Sequence, residues 1–301
     1  VVGHYNSGQA AAALPIYKDL PIIVITPTAS ETSLTAQGYR NFFRVNATDA
    51  AQGPYVARFM VNDLKAQRIV LMYAENEYGQ GLRAQVDQAL RELGRPPVEV
   101  IGIPEAADSY AFFLPRIQAA SPDAIFLAGY ETEGYVLLPE LREAGINATF
   151  VASDGCFLYE FIDGSGAAAE GAYVSGITPD PRVVAKADWW DAYRKVESRN
   201  PGTYSIAGYS AMSVLAEATR KANSLDPRPS SRPCTATISP PSSAPCATTP
   251  TATCKTSAST CSRCAGESSS RWSPSDESVS SPGGSEATIE STAPAWFQHQ
   301  P

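Results

Sequence analysis

From Val1 to about Lys221 the chain repeats one pattern, a short β-branched run followed by a longer amphipathic stretch. Strands alternating with helices of that length bury their apolar faces best as a parallel sheet with helices laid over it, which makes this an α/β chain. The strand candidates are Ile22 to Ile25, Arg68 to Tyr73, Val98 to Ile103, Ala124 to Ala128, Thr149 to Ala152 and Gly171 to Ser175. Helices are predicted over Ala11 to Lys18, Gln52 to Lys65, Gln80 to Leu93, Tyr110 to Ala119 and Gly134 to Glu143, then over Arg182 to Arg199 and Ser205 to Lys221. Within Gln80 to Leu93 the residues Leu82, Val86, Ala89, Leu90 and Leu93 recur on one helical face, so that stripe is core.

The pattern stops near Lys221. From Pro229 onward the chain is rich in Ser, Thr and Pro, and it holds five of the six cysteines. That composition predicts a disordered, low-complexity tail over residues 223–301. Before the break there is room for two lobes, since 301 residues exceed the ~100–200 of one ordinary domain. A net charge of -8 argues against a nucleic-acid partner. No apolar run approaches the ~20 residues of a membrane helix, the longest lying at Leu20 to Ile25, and the opening Val1-Val2-Gly3-His4 shows no targeting segment.

Chemical motifs are sparse. Tyr78-Gly79-Gln80-Gly81 lacks the third glycine of a dinucleotide loop and the lysine of a P-loop. Asn6-Ser7-Gly8 is not framed as a hydrolase elbow, and His4 and His299 are the only histidines. Cys261-Ser262-Arg263-Cys264 has the spacing of half a zinc knuckle with no second pair after it, so neither a metal nor another cofactor is expected. Tyr135, Trp189 and Trp190 sit at helical positions where aromatics pack as core or interface.

What remains is a set of loops at the carboxyl ends of strands, where open α/β sheets bind ligands. These carry the hydroxyls of Ser7 and Ser30, the backbone of Thr28, the phenols of Tyr78 and Tyr130, and the carboxylate of Asp154 beside Gly155. Singly, each reads as a helix cap or turn residue. Together they offer donors for an anion and a carboxylate for a cation, the complement of a zwitterionic amino acid.

Val2-Gly3-His4, Ile25-Thr26-Pro27, Leu34-Thr35, Gly38-Tyr39, Phe43-Arg44, Gln52-Gly53-Pro54, Glu77-Tyr78-Gly79-Gln80-Gly81, Gly129-Tyr130 and Arg142-Glu143-Ala144-Gly145 occur in an order that resembles the leucine/isoleucine/valine-binding proteins. These are type I periplasmic solute-binding proteins of branched-chain amino acid ABC transporters. The resemblance runs from Val1 to about Lys221. It implies two α/β lobes, residues 1–48 with 177–222 and residues 49–176, closing over a ligand about hinge crossings near Asn46 to Asp49 and Gly176 to Pro179. It also implies a periplasmic monomer that hands an amino acid or amide to an ABC permease, with no enzymatic step.

By the same resemblance Ser7 and Ser30 hold the ligand carboxylate, the Thr28 carbonyl accepts from its ammonium, Tyr78 and Tyr130 close from the other lobe, and Asp154 is the ammonium's counter-ion. The family commonly has Glu where Asp154 stands and Thr where Ser30 stands. Tyr5, Asn6 and Tyr204 fall where its members place apolar or less polar groups, which favours a polar amino acid, a small amide or an aromatic acid over an aliphatic side chain.

Val1 aligns with the family's third strand, so the resemblance implies that a signal peptide, two strands, two helices and one pocket wall are missing ahead of it and that the first lobe is incomplete. Reverse translation of Pro229 to Gly266 with GC-leaning codons, regrouped from each third base, allows a reading like the family's returning strands, so the tail is expected to be out of frame. Two alternatives stand beside the transport reading: a sensor module of a regulator or receptor, and an enzyme using Asp154 as base.

Overall fold

The computed structural model describes residues 1–179, 181–198, 200–226 and 297–299. Of the predicted tail over 223–301 only residues 223–226 and 297–299 are described, and the stretch read as out of frame lies outside them. In chain order the elements are α1 (Ser7–Tyr17), β1 (Val24–Thr26), α2 (Ser33–Ala36), β2 (Phe42–Arg44) and α3 (Asp49–Arg58), which continues as a π-helical turn over Phe59–Asp63. Then come β3 (Ile69–Ala74), α4 (Glu77–Glu92), β4 (Glu99–Ile103), α5 (Leu114–Ala120), β5 (Ala124–Ala128), α6 (Glu131–Glu143) and β6 (Thr149–Ala152). The last are α7 (Tyr159–Ser165), β7 (Tyr173–Ser175), α8 (Pro181–Val184), α9 (Ala187–Glu197), α10 (Ser205–Ala222) and β8 (Phe297–His299).

Two sheets result. The first pairs β1 with β2 in parallel, and Val2 bridges to Ile25 on the other side of β1. The second has the order β4-β3-β5-β6-β7-β8, parallel throughout except that β8 runs antiparallel to β7. The α/β class with parallel sheets under helices is therefore as predicted.

The second sheet is buried on both faces because its central strands are apolar at every position. Successive side chains of a strand point to opposite faces. Val70, Met72, Ile125 and Leu127 accordingly join Ile117, Leu137, Leu138 and Leu141 of α5 and α6 in one core. Ile69, Leu71 and Phe126 join Val56, Leu82, Val86 and Leu90 of α3 and α4 in the other. Each such fully buried aliphatic contributes about 1.5–3 kcal/mol. The predicted stripe of α4 holds from Leu82 to Leu90, whereas Leu93 lies past the helix end and is exposed. A smaller core of Ala10, Leu14, Val24, Leu34 and Phe42 backs the first sheet.

The predicted helix over Arg182 to Arg199 is two helices, α8 and α9. Trp189 packs edge-on against Trp190 and Tyr209, and the Trp190 indole donates to the Pro181 carbonyl at 3.3 Å. Both tryptophans thus pack rather than bind. Chain passes from the first sheet to the second after β2, and that passage is tied to the segment after β7 where the Ala47 N–H donates to the Ile177 carbonyl at 3.1 Å.

Candidate functional site

Asn6 caps α1, its Oδ1 accepting from the Gln9 N–H at 3.1 Å while the Gln9 side chain accepts from the Asn6 N–H. This puts Ser7 in the first helical turn instead of a loop, because Ser7-Gly8-Gln9 carries no apolar residue from which the helix could be read. It also uses one of the two lone pairs of Asn6 Oδ1, while its amide nitrogen stays available to donate. Ser7 Oγ accepts from the Glu31 N–H at 3.2 Å and keeps its own proton to donate.

The loop after β1 is held from several directions. Thr26 Oγ1 accepts from the Ala29 N–H at 2.9 Å, Thr28 Oγ1 donates to the Tyr5 carbonyl, and Asn46 Nδ2 donates to the Thr28 carbonyl at 3.2 Å. One lone pair of the Thr28 carbonyl stays available. The Ser30 carbonyl accepts from the Asp49 N–H at 2.9 Å, joining this loop to the start of α3.

On the second sheet the carboxyl ends of β3, β5 and β6 supply the opposite wall. Asn76 caps α4 through the Gly79 N–H at 2.8 Å, so Tyr78 too lies in a first helical turn. Its hydroxyl donates to Asp154 Oδ1 at 2.5 Å and accepts from the Gly155 N–H at 3.2 Å. Its ring stacks on that of Tyr130 with centroids 5.1 Å apart. Tyr130 is placed by Glu133, a fully buried carboxylate that accepts from the Tyr130 N–H at 2.7 Å and the Ala106 N–H at 2.8 Å. Gly155 must lack a side chain, since a Cβ there would collide with the Gly129 carbonyl and lie 3.0 Å from the Tyr130 ring. Tyr204, just ahead of α10, donates to the Asp154 carbonyl at 2.5 Å, and Thr203 Oγ1 donates to the Phe157 carbonyl at 2.6 Å. The Tyr5 ring meets Tyr204 edge-on at 5.9 Å.

Asp154 is 4% exposed, and burial pushes its carboxyl up to about 6 although hydrogen bonds from Tyr78, Gln52 and Tyr204 pull the other way. Burial, followed by the field of nearby carboxylates, raises the phenols of Tyr5, Tyr78, Tyr130 and Tyr204. All four stay neutral hydrogen-bond donors at any physiological pH.

All ten residues singled out in the sequence, with Ala29, line one cleft of about 250 Å³: Tyr5, Asn6, Ser7, Thr28 and Ser30 from the first sheet's side, Tyr78, Tyr130, Asp154 and Gly155 from the second's, and Tyr204. Sequence reasoning missed three groups around it, two of them buried and one, Arg44, half-buried. Asp49 is fully buried beside Ser30, its carboxyl raised well above the usual range by that burial although the Ser30 hydroxyl pulls it the other way. Arg44 donates to the carbonyls of Ala29 and Glu31 and so fixes the loop between them. Glu133 is the third. The one available signal was that Arg44 and Asp49 adjoin the strand and helix that carry site loops.

The cleft offers a zwitterion neutral donors at one end and a carboxylate at the other. It offers no activated nucleophile: Ser7 has no base beside it, and the His4 ring stacks on Tyr17 at 5.8 Å. Among the described residues no three His, Cys, Asp or Glu side chains are grouped to hold a metal. A second cavity of about 560 Å³ lies behind the loop at Cys156 and Phe157, with an apolar lining that includes Phe161, Val174 and Trp190.

Comparison with known proteins identifies the family and the fold. The sequence profile of the Periplasmic binding protein family matches residues 1–231. The Leu/Ile/Val-binding protein homolog 1 of Brucella abortus is 28% identical over 229 residues, covering 76% of this chain and 61% of its own length. The leucine-, isoleucine-, valine-, threonine- and alanine-binding protein of Pseudomonas aeruginosa is 27% identical over 231 residues, covering 75% and 61%. Among solved structures, a leucine-binding protein LivK from Thermotoga maritima is similar with a TM-score of 0.70 at 26% identity, over 75% of this chain and 65% of that one. LivJ from Streptococcus pneumoniae in complex with isoleucine has a TM-score of 0.66 at 26% identity, again over 75% and 65%. The chain thus spans about 61% of the length of these curated relatives.

Proposed function

Because the chain belongs to the periplasmic binding protein family, we propose that it captures one amino acid, branched-chain or related, outside the cytoplasm for an ABC transporter and leaves it chemically unchanged. The family is one of binders rather than enzymes, and among the relatives the Brucella abortus protein is named for binding leucine, isoleucine and valine, the Pseudomonas aeruginosa protein for these with threonine and alanine, and the Thermotoga maritima protein for leucine.

The observation that carries this reading is the division of labour across one cleft. Ser7 and Ser30 donate to the ligand carboxylate, and the Thr28 carbonyl and Asp154 receive its ammonium, while Tyr78, Tyr130 and Tyr204 exclude water. Residues 1–48 and 177–222 form one lobe and 49–176 the other, joined at the paired crossings by Ala47 and Ile177. Contacts made by both lobes at once exist only in the closed state, so a ligand shifts the hinge equilibrium by its differential affinity for that state. The closed form is then what an ABC permease receives.

A thermal-shift panel of the twenty amino acids and their amides tests the reading. A ligand at 100 times its Kd raises stability by about 2.7 kcal/mol, a shift of several degrees. Asp154→Asn should abolish the response. A chain that is folded by circular dichroism yet shifts with none of these compounds overturns the proposal.

A further inference from the structure

We infer that Gly81 sets how closely the two walls of the cleft approach, and that its missing side chain is what lets them close on a ligand. This rests on the two-lobe, amino-acid-binding reading and adds to it a positioning residue that does not line the cleft.

Gly81 lies in α4, three residues after Tyr78 and therefore on the same helical face. A Cβ placed on it would stand 2.9 Å from Glu31 Cγ, 3.1 Å from Asp49 Oδ2 and 3.6 Å from Glu31 Oε1. In the two-lobe reading Glu31 and Gly81 belong to different lobes, so the contact joins them. It sits beside the cleft on both sides, next to Ser30 in one wall and one turn from Tyr78 in the other.

Neither acid can step aside. The Glu31 N–H donates to Ser7 Oγ at 3.2 Å, and its carbonyl accepts from Arg44 Nη2 at 2.9 Å. Its carboxylate accepts from the Ser33 N–H at 2.9 Å and from the Ser33 hydroxyl at 2.5 Å. Main chain and carboxylate are thus both fixed, with Cγ held between them. Asp49 is fully buried, and its N–H donates to the Ser30 carbonyl at 2.9 Å. Carbon atoms pack best at about 3.5–4.0 Å, so a methyl on Gly81 must lift α4 from the loop by roughly 0.5–1 Å. The second sheet moves with it, because α4 packs on that sheet through Leu82, Val86 and Leu90. Tyr78 and Asp154 are then carried away from Ser7 and Ser30, and contacts that span the cleft are lost.

A second close approach supplies the contrast. A Cβ on Gly8 would lie 2.7 Å from Glu77 Oε2, again between the first sheet's side and α4. Glu77 is exposed, and its carboxylate is the far end of a flexible side chain that can swing into solvent. Both glycines are crowded, but only Gly81 faces neighbours that are fixed.

Calorimetric titration of the full-length parent, Gly81→Ala, Gly8→Ala, Glu31→Ala and the Gly81→Ala/Glu31→Ala double variant with each of the twenty L-amino acids tests this. For whichever the parent binds, Gly81→Ala should weaken affinity about tenfold or more, with Gly8→Ala and Glu31→Ala within about threefold of the parent. Removing the Glu31 side chain clears the shortest contact, so the double variant should bind about threefold or more tighter than Gly81→Ala alone. Stopped-flow intrinsic fluorescence separates closure from misfolding: Gly81→Ala should release ligand faster, with an association rate within about threefold of the parent and unchanged stoichiometry. Ala is the better helix former, so Gly81→Ala should also fold. Parent-like affinity in Gly81→Ala, its failure to fold, no recovery in the double variant, or an equal loss in Gly8→Ala overturns the inference and leaves amino-acid binding standing. A folded parent that binds none of the twenty overturns both.

Discussion

Replacing Asp154 by Asn should stabilise the ligand-free protein at neutral pH while removing its ligand response. The carboxyl titrates at about 6 in the folded chain against 3.8 for a solvated aspartate, burial being the main cause. A folded-state value raised above the unfolded one means that the folded chain holds its proton more tightly. The favourable contribution of the neutral form is complete below 3.8, is lost as pH rises towards 6, and changes no further above that. At ~1.36 kcal/mol per pH unit the gap between the two values is about 3 kcal/mol.

Asn mimics the neutral form at every pH, and its carbonyl can still accept from the Tyr78 hydroxyl that now donates to Asp154 Oδ1 at 2.5 Å. The stability difference between variant and parent should therefore widen in favour of Asn by about 3 kcal/mol from pH 3 to pH 7 and then level off. In melting temperature that is on the order of 6–12 °C for a folded part of this size. Urea denaturation at half-unit pH steps, without ligand, measures it. A difference that does not change with pH, or one that widens against the variant, refutes the burial argument.

Asp49→Asn should show the same sign, since burial raises that carboxyl by more than the Ser30 hydroxyl lowers it; the same titration should find the variant gaining on the parent as pH rises. Glu133→Ala should destabilise by about 1–3 kcal/mol, because the Tyr130 and Ala106 N–H groups lose their acceptor, and it should weaken ligand binding through a loosened Tyr130; unchanged urea midpoint and affinity would count against the clamp. Gly79→Ala would push a Cβ onto the Ala74 carbonyl and to 2.9 Å from the Ala128 carbonyl, with a loss of at least about 1–3 kcal/mol; a parent-like urea midpoint would show that α4 can lift away at no cost.

The strands of the second sheet were legible where burial on both faces makes the run continuously apolar. Ala124 to Ala128 and Thr149 to Ala152 are bounded in the structure as they are in the sequence. β2 escaped notice because three residues, one buried, one exposed and one between, carry no usable period. The starts of α1, α3, α4 and α6 were read three or four residues late for a physical reason: first turns are built from caps and small polar residues, which look like loop. Ser7 and Tyr78 lie in such turns, so two of the residues lining the cleft are among those whose local structure was least readable. Their convergence on one cleft was nonetheless legible, because each follows a strand carboxyl end. Asp49, Arg44 and Glu133 were not, since a charged residue in an amphipathic pattern is assigned to solvent and nothing local announces that it is buried.

The order in which cleft residues occur along the chain has a kinetic consequence. β3 to β7 span residues 69–175 without interruption, and their neighbours in the sheet are close in sequence. Such a unit closes short loops and should form early, whereas Tyr204 must return to Asp154, 50 residues back, and meet Tyr5 from the chain's beginning. During refolding, secondary structure should therefore recover before the cleft is complete. A chain emerging from the ribosome would carry its main sheet for as long as the next few dozen residues take to synthesise, with the ligand site still open on one side. Competence to bind is in this sense the last property the molecule acquires.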